Sequence, residues 1–260
     1  MEKVLIHCGE AKGKHTAVLI AEKLDKVIDS LELAEGMFTA MTTDNAINML
    51  NAVNKESKTI HLGLGCIDHL LQLVINRSID KVEVVKSAVN KFKKLSTATH
   101  KSSLNIQRIK KACGDLEKSA DGPKVSFAKI ITPVETRWNS VLMMIRSILH
   151  LQLPLEAIKE SPNAAKEYPK LVEAIPDPED FEVLSKIVPV LSKFESISQT
   201  LSSDQHPSLP YVIPKIHFLH NHLFSIKVKR DSQEDKPLND LVKVETFYLR
   251  CTFYEIIIRL

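Results

Sequence analysis

A chain of 260 residues that is 44% hydrophobic and 26% charged carries enough apolar material for one large core or two smaller ones. Four scattered cysteines with no CxxC pair argue against a disulfide framework, and no apolar run reaches the roughly 18 residues that span a bilayer. A net charge of +3 at pH 7 is too small to name a partner, so the distribution of charge matters more than its sum.

In chain order, Lys3–Cys8 (KVLIHC) reads as a short strand, and a strand that opens the chain calls for sheet neighbours from upstream. Thr16–Leu31 follows as an amphipathic helix. Ala17, Ile20, Ala21, Leu24, Val27, Ile28 and Leu31 recur at three- and four-residue spacing, with Lys23, Asp25, Lys26 and Asp29 on the other face. Met37–Thr43 is an apolar run ending in β-branched threonines, the pattern of a buried strand, and Asp44 follows at its end. A second helix is predicted over Ala46–Lys55. Thr59–Cys66 is a third strand, where Gly63 and Gly65 point to a close backbone approach or a bend. The order β-α-β-α-β implies parallel strands joined by helical crossovers.

From Ile67 onward the periodicity is helical. Helices are predicted over Ile67–Ile79, Val82–Leu95, Ser102–Ala112, Asn139–Leu151, Asp180–Leu201 and Tyr211–Phe224, with a loop over Asp115–Phe127. Pro189 lies inside the fifth of these and should kink or split it. Pro162, Pro169, Pro176, Pro178 and Pro207 punctuate the connections. Lys227–Asp240 reads as a charged linker, and Leu241–Leu260 turns β-branched and aromatic, unlike the helices before it. The expected class is α/β plus mostly α.

Four features could carry chemistry. Asp44, at the end of a strand in a parallel sheet, is placed either to bind a metal or to cap the next helix. Cys66 and His69, three apart at a strand-to-helix junction, could form half of a zinc site or face the same edge as Asp44. Arg137 and Trp138 precede a helix; the tryptophan is either a core anchor or a stacking platform for an unpaired base, with Arg137 on a phosphate. Asp80–Lys111 holds nine Lys or Arg against Asp80 and Glu83. Its excess of about seven positive charges, including Lys93, Lys94, Lys110 and Lys111, fits either a phosphate backbone or a solvated helix face. No P-loop, Rossmann glycine pattern or GxSxG elbow is present.

TTDNAINMLNAV, GCIDHLLQLVIN, KKLSTATHKS, VETRWNSVLMM and LPYVIPKIHFLHNHL follow one another in this order. Together they resemble the hAT superfamily of DNA transposases and their domesticated relatives, the zinc-finger BED domain proteins. The resemblance covers about 4–224. It implies a partial RNase H-like core over 1–66, a large all-helical insertion over 67–226, and a linker with an unassigned tail over 227–260. Such enzymes use two Asp and one Glu to hold two divalent metals that activate water or a 3′-hydroxyl for attack on DNA phosphate. Asp44 matches the second Asp and would be an ancestral magnesium ligand. Cys66 and His69 match the family's CxxH, and Arg137 with Trp138 its RW element, whose Trp stacks on flanking DNA.

The departures weigh against chemistry. The first Asp would lie upstream of Met1, Glu245 and Glu255 stand in no matching context for the final Glu, and no BED finger is present. One carboxylate of three cannot hold two metals. The expectation is therefore a non-catalytic, transposase-derived nuclear protein, present also in the cytoplasm, that needs no cofactor. DNA, other proteins or a second copy of the chain are the candidate partners, and no membrane is expected. Two alternatives stay open. One is an active transposase or nuclease using magnesium or manganese, completed by missing segments or another chain. The other is a protein-interaction module with no nucleic-acid role. An open sheet edge also predicts low solubility or self-association.

Overall fold

The computed structural model describes residue 8 and residues 13–32, 40–60, 62–118, 124–134, 137–202, 209–229 and 236–259, with side chains to 226 and 249 in the last two stretches. The predicted strand Lys3–Cys8, apart from Cys8, and the first residues of Met37–Thr43 lie outside these. The protein is mostly helical with one two-stranded parallel sheet. It divides into two compact units, Met1–Val74 with Ser198–His217 and Leu249–Leu260, and Ile75–Ile197 with Phe218–Tyr248. The sequence reading set its boundary earlier, at 66/67.

In the first unit, helix α1 (Ala17–Asp29) starts at Thr16, whose Oγ1 accepts the Leu19 N–H at 3.3 Å. Its Ile28 packs with Val53 and Ile60, and Leu24 and Met41 close the cluster. Strand β1 (Met41–Thr43) pairs in parallel with β2 (Gly63–Gly65), Met41 opposite Gly63 and Thr43 opposite Gly65. The crossover is helix α2 (Ile47–Asn51) running into one π-helical turn, Ala52–Glu56. The wider turn buries Ala52 and Val53. Val53 lies so close to β2 that a Cβ on Gly63 would collide with it, which is why that strand begins with glycine. Asn54 Oδ1 accepts the Gly63 N–H at 3.2 Å and ties the turn to the strand.

Asp25 fastens α1 to the segment after that turn. Its carboxylate accepts the hydroxyls of Ser57 and Thr59, the latter at 2.6 Å, and the Lys58 N–H at 3.0 Å. Burial pushes its carboxyl up, but these hydrogen bonds outweigh it and hold the group below the usual carboxylate range. Helix α3 (Ile67–Lys81) leaves β2, and Asp68 on its first turn accepts the hydroxyl of Ser198.

In the second unit, helix α4 (Glu83–His100) is the shared wall, with Val85, Val89, Phe92 and Leu95 buried at helical spacing. It packs on α5 (Ser103–Lys118), α6 (Trp138–His150) and α9 (Pro169–Ala174). Helix α7 (Gln152–Glu160) lies on α5, and a four-residue turn, α8 (Ala164–Glu167), links it to α9. Helix α10 (Pro178–Leu201) begins with a capping pattern: Pro178 is its first residue, and Asp180 Oδ2 accepts the Asp177 N–H at 3.0 Å. Phe181 then meets Phe92, with ring centroids 5.2 Å apart. Lys91 bridges Asp177 and Asp180, and Lys159 reaches Asp177 at 2.7 Å, so α4, α7 and the start of α10 share one ion-pair network.

Three expectations are corrected. α10 runs on through Pro189 as one helix. α5 continues to Lys118 into the stretch read as a loop. Lys236–Arg259, read as the end of a linker and an unassigned tail unlike the helices before it, is a single helix, α12, which follows α11 (Leu209–Lys229). The tail's β-branched and aromatic content disfavours helix only weakly. Leu238, Leu241, Val242, Glu245 and Leu249 fall on one buried stripe, and burial decides. Among the described residues neither oxygen of Glu245 has a hydrogen-bond partner, and burial pushes its carboxyl up to about 8.

Replacing Asp25 with Ala should destabilise the protein by about 1–3 kcal/mol at pH 7, the cost of leaving its partners unpaired. Because the folded pKa is depressed, this contribution is present above the unfolded value and is lost as pH falls through the folded one. Urea titrations of wild type and Asp25→Ala should therefore converge in strongly acid buffer; a gap that widens there would contradict the clamp.

Candidate functional site

The candidate site begins at the C-terminal edge of the sheet. Since Thr43 and Gly65 are partners, Asp44 and Cys66 leave the two strands side by side. The edge is closed by Asn45, whose Nδ2 donates to the Cys66 carbonyl at 3.1 Å. That reach needs Gly65, because a Cβ there would overlap Asn45 Oδ1. Thr43 Oγ1 donates to the Asp44 carbonyl at 2.9 Å, and Asp44 Oδ1 accepts the Ala46 N–H at 3.2 Å. Asp44 is thus an exposed carboxylate that opens the turn into α2. Cys66 is half-buried as a free thiol, and His69 is exposed on the first turn of α3.

Among the described residues no group of three His, Cys, Asp or Glu side chains could hold a metal ion. The donors at this edge do not fit the two-metal site that the sequence resemblance implies, and no reaction step is derived through one.

The second element lies in the helical unit. Arg137 is exposed at the N-cap of α6, whereas Trp138 is buried, 3% exposed. Stacking on a base would require that indole to leave the core. Its Nε1 and the Oδ1 of Asn139 are buried without hydrogen-bond partners among the described residues. Ser140 does the structural work of the motif. Its Oγ accepts the Val134 N–H at 2.8 Å and lies 2.6 Å from the Arg137 carbonyl. The segment 124–134 is fastened further along, with Ser96 Oγ donating to the Ile131 carbonyl and Ser147 Oγ accepting the Ile131 N–H.

The basic stretch is partly neutralised by the fold. Lys86 pairs with Asp80, Lys91 with Asp177 and Asp180, and Lys94 with Glu173 at 2.7 Å. The carboxylates raise Lys91 above its ordinary value, and Lys94 holds Glu173 below its own. Lys110 lies 5.0 Å from the Phe127 ring centroid instead. Lys93, Lys110 and Lys111 take no carboxylate partner among the described residues. The structure thus spreads the predicted residues over two units: Asp44, Cys66 and His69 in the first, and Arg137, Trp138 and the lysines in the second.

Sequence reasoning passed over Asn45 and Arg108, and took Ser140 or Asn139 as the start of the helix, which begins instead at Trp138 with Arg137 as its N-cap. Asn45 stands inside a quoted motif, next to the residue that drew attention. Arg108 was one charge among nine.

The chain shows a distant, partial similarity to a transposase. Over 221 residues it is 24% identical to a Zea mays protein named "Putative AC transposase". The match takes in 79% of this chain and 25% of that protein, so the chain spans about a quarter of the relative's length. No protein-family model matches.

If Asp44 acts as a turn-opening acceptor, Asp44→Asn should leave stability within about 0.5 kcal/mol of wild type, and Asp44→Ala should cost about 0.5–2 kcal/mol. Asn45→Ala should cost about 1–3 kcal/mol by leaving the Cys66 carbonyl unpaired. Thermal unfolding of the three variants checks the order; an Asp44→Asn variant less stable than Asn45→Ala would contradict it.

Proposed function

We propose that this chain is a transposase-derived nuclear protein that holds DNA and carries out no strand transfer or hydrolysis of its own. The observation that carries this reading is the use made of the sheet edge. Asp44 there is engaged with the backbone of the next turn, while the neighbouring Asn45 spends its amide on the strand ends. DNA contact falls to cations that take no carboxylate among the described residues, Lys93, Lys110 and Lys111 among them, with Arg137 at the start of α6.

The test is duplex DNA binding by fluorescence anisotropy across salt. The affinity should fall linearly with log salt, with a slope of roughly −0.9 per phosphate contacted. Replacing Lys93, Lys110 and Lys111 together by Ala should flatten that slope by about two to three. Replacing Lys94, already paired with Glu173, should change it little. No binding at low salt would sink the reading.

A second reading, a protein-interaction module, is favoured by the aromatic surface of α11 and α12. Phe218, Phe224 and Phe247 are each more than half exposed, at 52%, 56% and 61%. Association that survives nuclease treatment and is lost in Phe218→Ser/Phe247→Ser would favour it over DNA holding.

A further inference from the structure

Arg108 is held unlike the carboxylate-paired cations of the helical unit. Lys91, Lys94, Arg146 and Lys159 each end on a carboxylate. Arg108 ends on neutral groups: its Nη1 donates to Asn105 Oδ1 at 3.0 Å, and its guanidinium carbon lies 4.6 Å from the centroid of the Tyr168 ring. Asn105 is buried and is itself fixed, its Nδ2 donating to the Ala98 carbonyl at 3.0 Å. A planar cation positioned by an amide and an aromatic face keeps its full charge and most of its N–H groups for a ligand.

Arg108 lines a groove of about 390 Å³ between α5 and the α7–α8 wall, within the range of small-ligand sites. Lys111 lies one turn along α5 on the same face. Two carboxylates, Asp115 and Glu167, also line the groove, yet among the described residues neither pairs with Arg108 or Lys111. Asp115 stands two turns from Arg108, about 10 Å along the helix. Leu116 and Ile158 supply an apolar lining. The groove therefore offers a fixed cation pair, apolar surface, and separate hydrogen-bond acceptors.

We infer that this groove binds a nucleoside monophosphate unit, with its phosphate on Arg108 and Lys111, its ring on the apolar lining, and its base edge on Asp115 and Glu167. Inorganic phosphate would leave the apolar lining unused and meet two like charges. An acidic peptide would bring carboxylates to carboxylates. A base donates N–H groups there, and one with an exocyclic amino group donates more than thymine does. The unit can come from an unpaired nucleotide in a DNA strand, which rests on the DNA-holding reading, or from a free nucleotide, which does not.

Calorimetry with the full chain tests this, using dAMP, dTMP, inorganic phosphate, a polyglutamate peptide, and blunt or single-strand-tailed duplexes. dAMP should bind more tightly than dTMP and far more tightly than phosphate or the peptide. Arg108→Lys and Lys111→Ala should each weaken dAMP about tenfold. Asp115→Ala should erase the preference over dTMP, and Lys94→Ala should change nothing. A tailed duplex outbinding a blunt one, with the gain lost in Arg108→Lys, identifies the strand as the source. Binding of dAMP without any DNA binding keeps the groove and removes the DNA reading. DNA binding without dAMP binding, or phosphate or peptide equal to dAMP, overturns the groove and leaves the DNA reading standing. A variant that melts like wild type but binds dAMP within twofold of it at Arg108→Lys also overturns it.

Discussion

The bond from Asn45 to the Cys66 carbonyl is the constraint on which the sheet edge depends. The two strands have three residues each, too few to hold themselves together. Their register is held at both ends by side chains from the crossover. Asn54 takes the Gly63 N–H at one end, and Asn45 closes onto Cys66 at the other. Both contacts require glycine in β2, because Val53 and Asn45 occupy the space a side chain would fill. The π-helical turn presses Val53 onto the strand, and Asp25 holds that turn against α1. A motif that could be read as catalytic is thus also the joint where strand, crossover and helix meet.

The helical unit has a different logic. Its core is a set of aliphatic and aromatic stripes around α4, and its ion pairs bind the rims of that core together. Lys91 and Lys159 gather on the Asp177–Asp180 cap, so the charge that starts α10 also fastens α4 and α7. Neutralising some lysines internally sharpens the meaning of the rest. A broad basic stretch becomes a few cations without carboxylate partners among the described residues and one arginine held on a tyrosine ring.

Much of the fold could be read from the sequence. The helices followed from three- and four-residue spacing, and the glycines of β2 followed from their place at a strand end. Parallel pairing followed from the alternation of strand and helix. Helix α12 did not, because local propensity pointed away from helix while burial of one stripe decided for it. The site was legible in residue names and as pairs of alternative roles. Asp44 was open as metal ligand or cap and Trp138 as core anchor or stacking platform; in the structure Asp44 opens a turn and Trp138 is packed inside. The hydrogen bonds of Asn45 and Ser140 depend on the folded positions of Cys66 and Val134, far along the chain or around a turn, and no spacing rule reports them.

The most direct measurement is a manganese and magnesium titration of the full chain, followed by thermal unfolding. A chain whose Asp44 serves the turn should show no saturable rise in melting temperature at millimolar metal, and Asp44→Asn should behave as wild type does. A saturable metal-dependent rise that disappears in Asp44→Asn would contradict the account and return Asp44 to the role of a metal ligand.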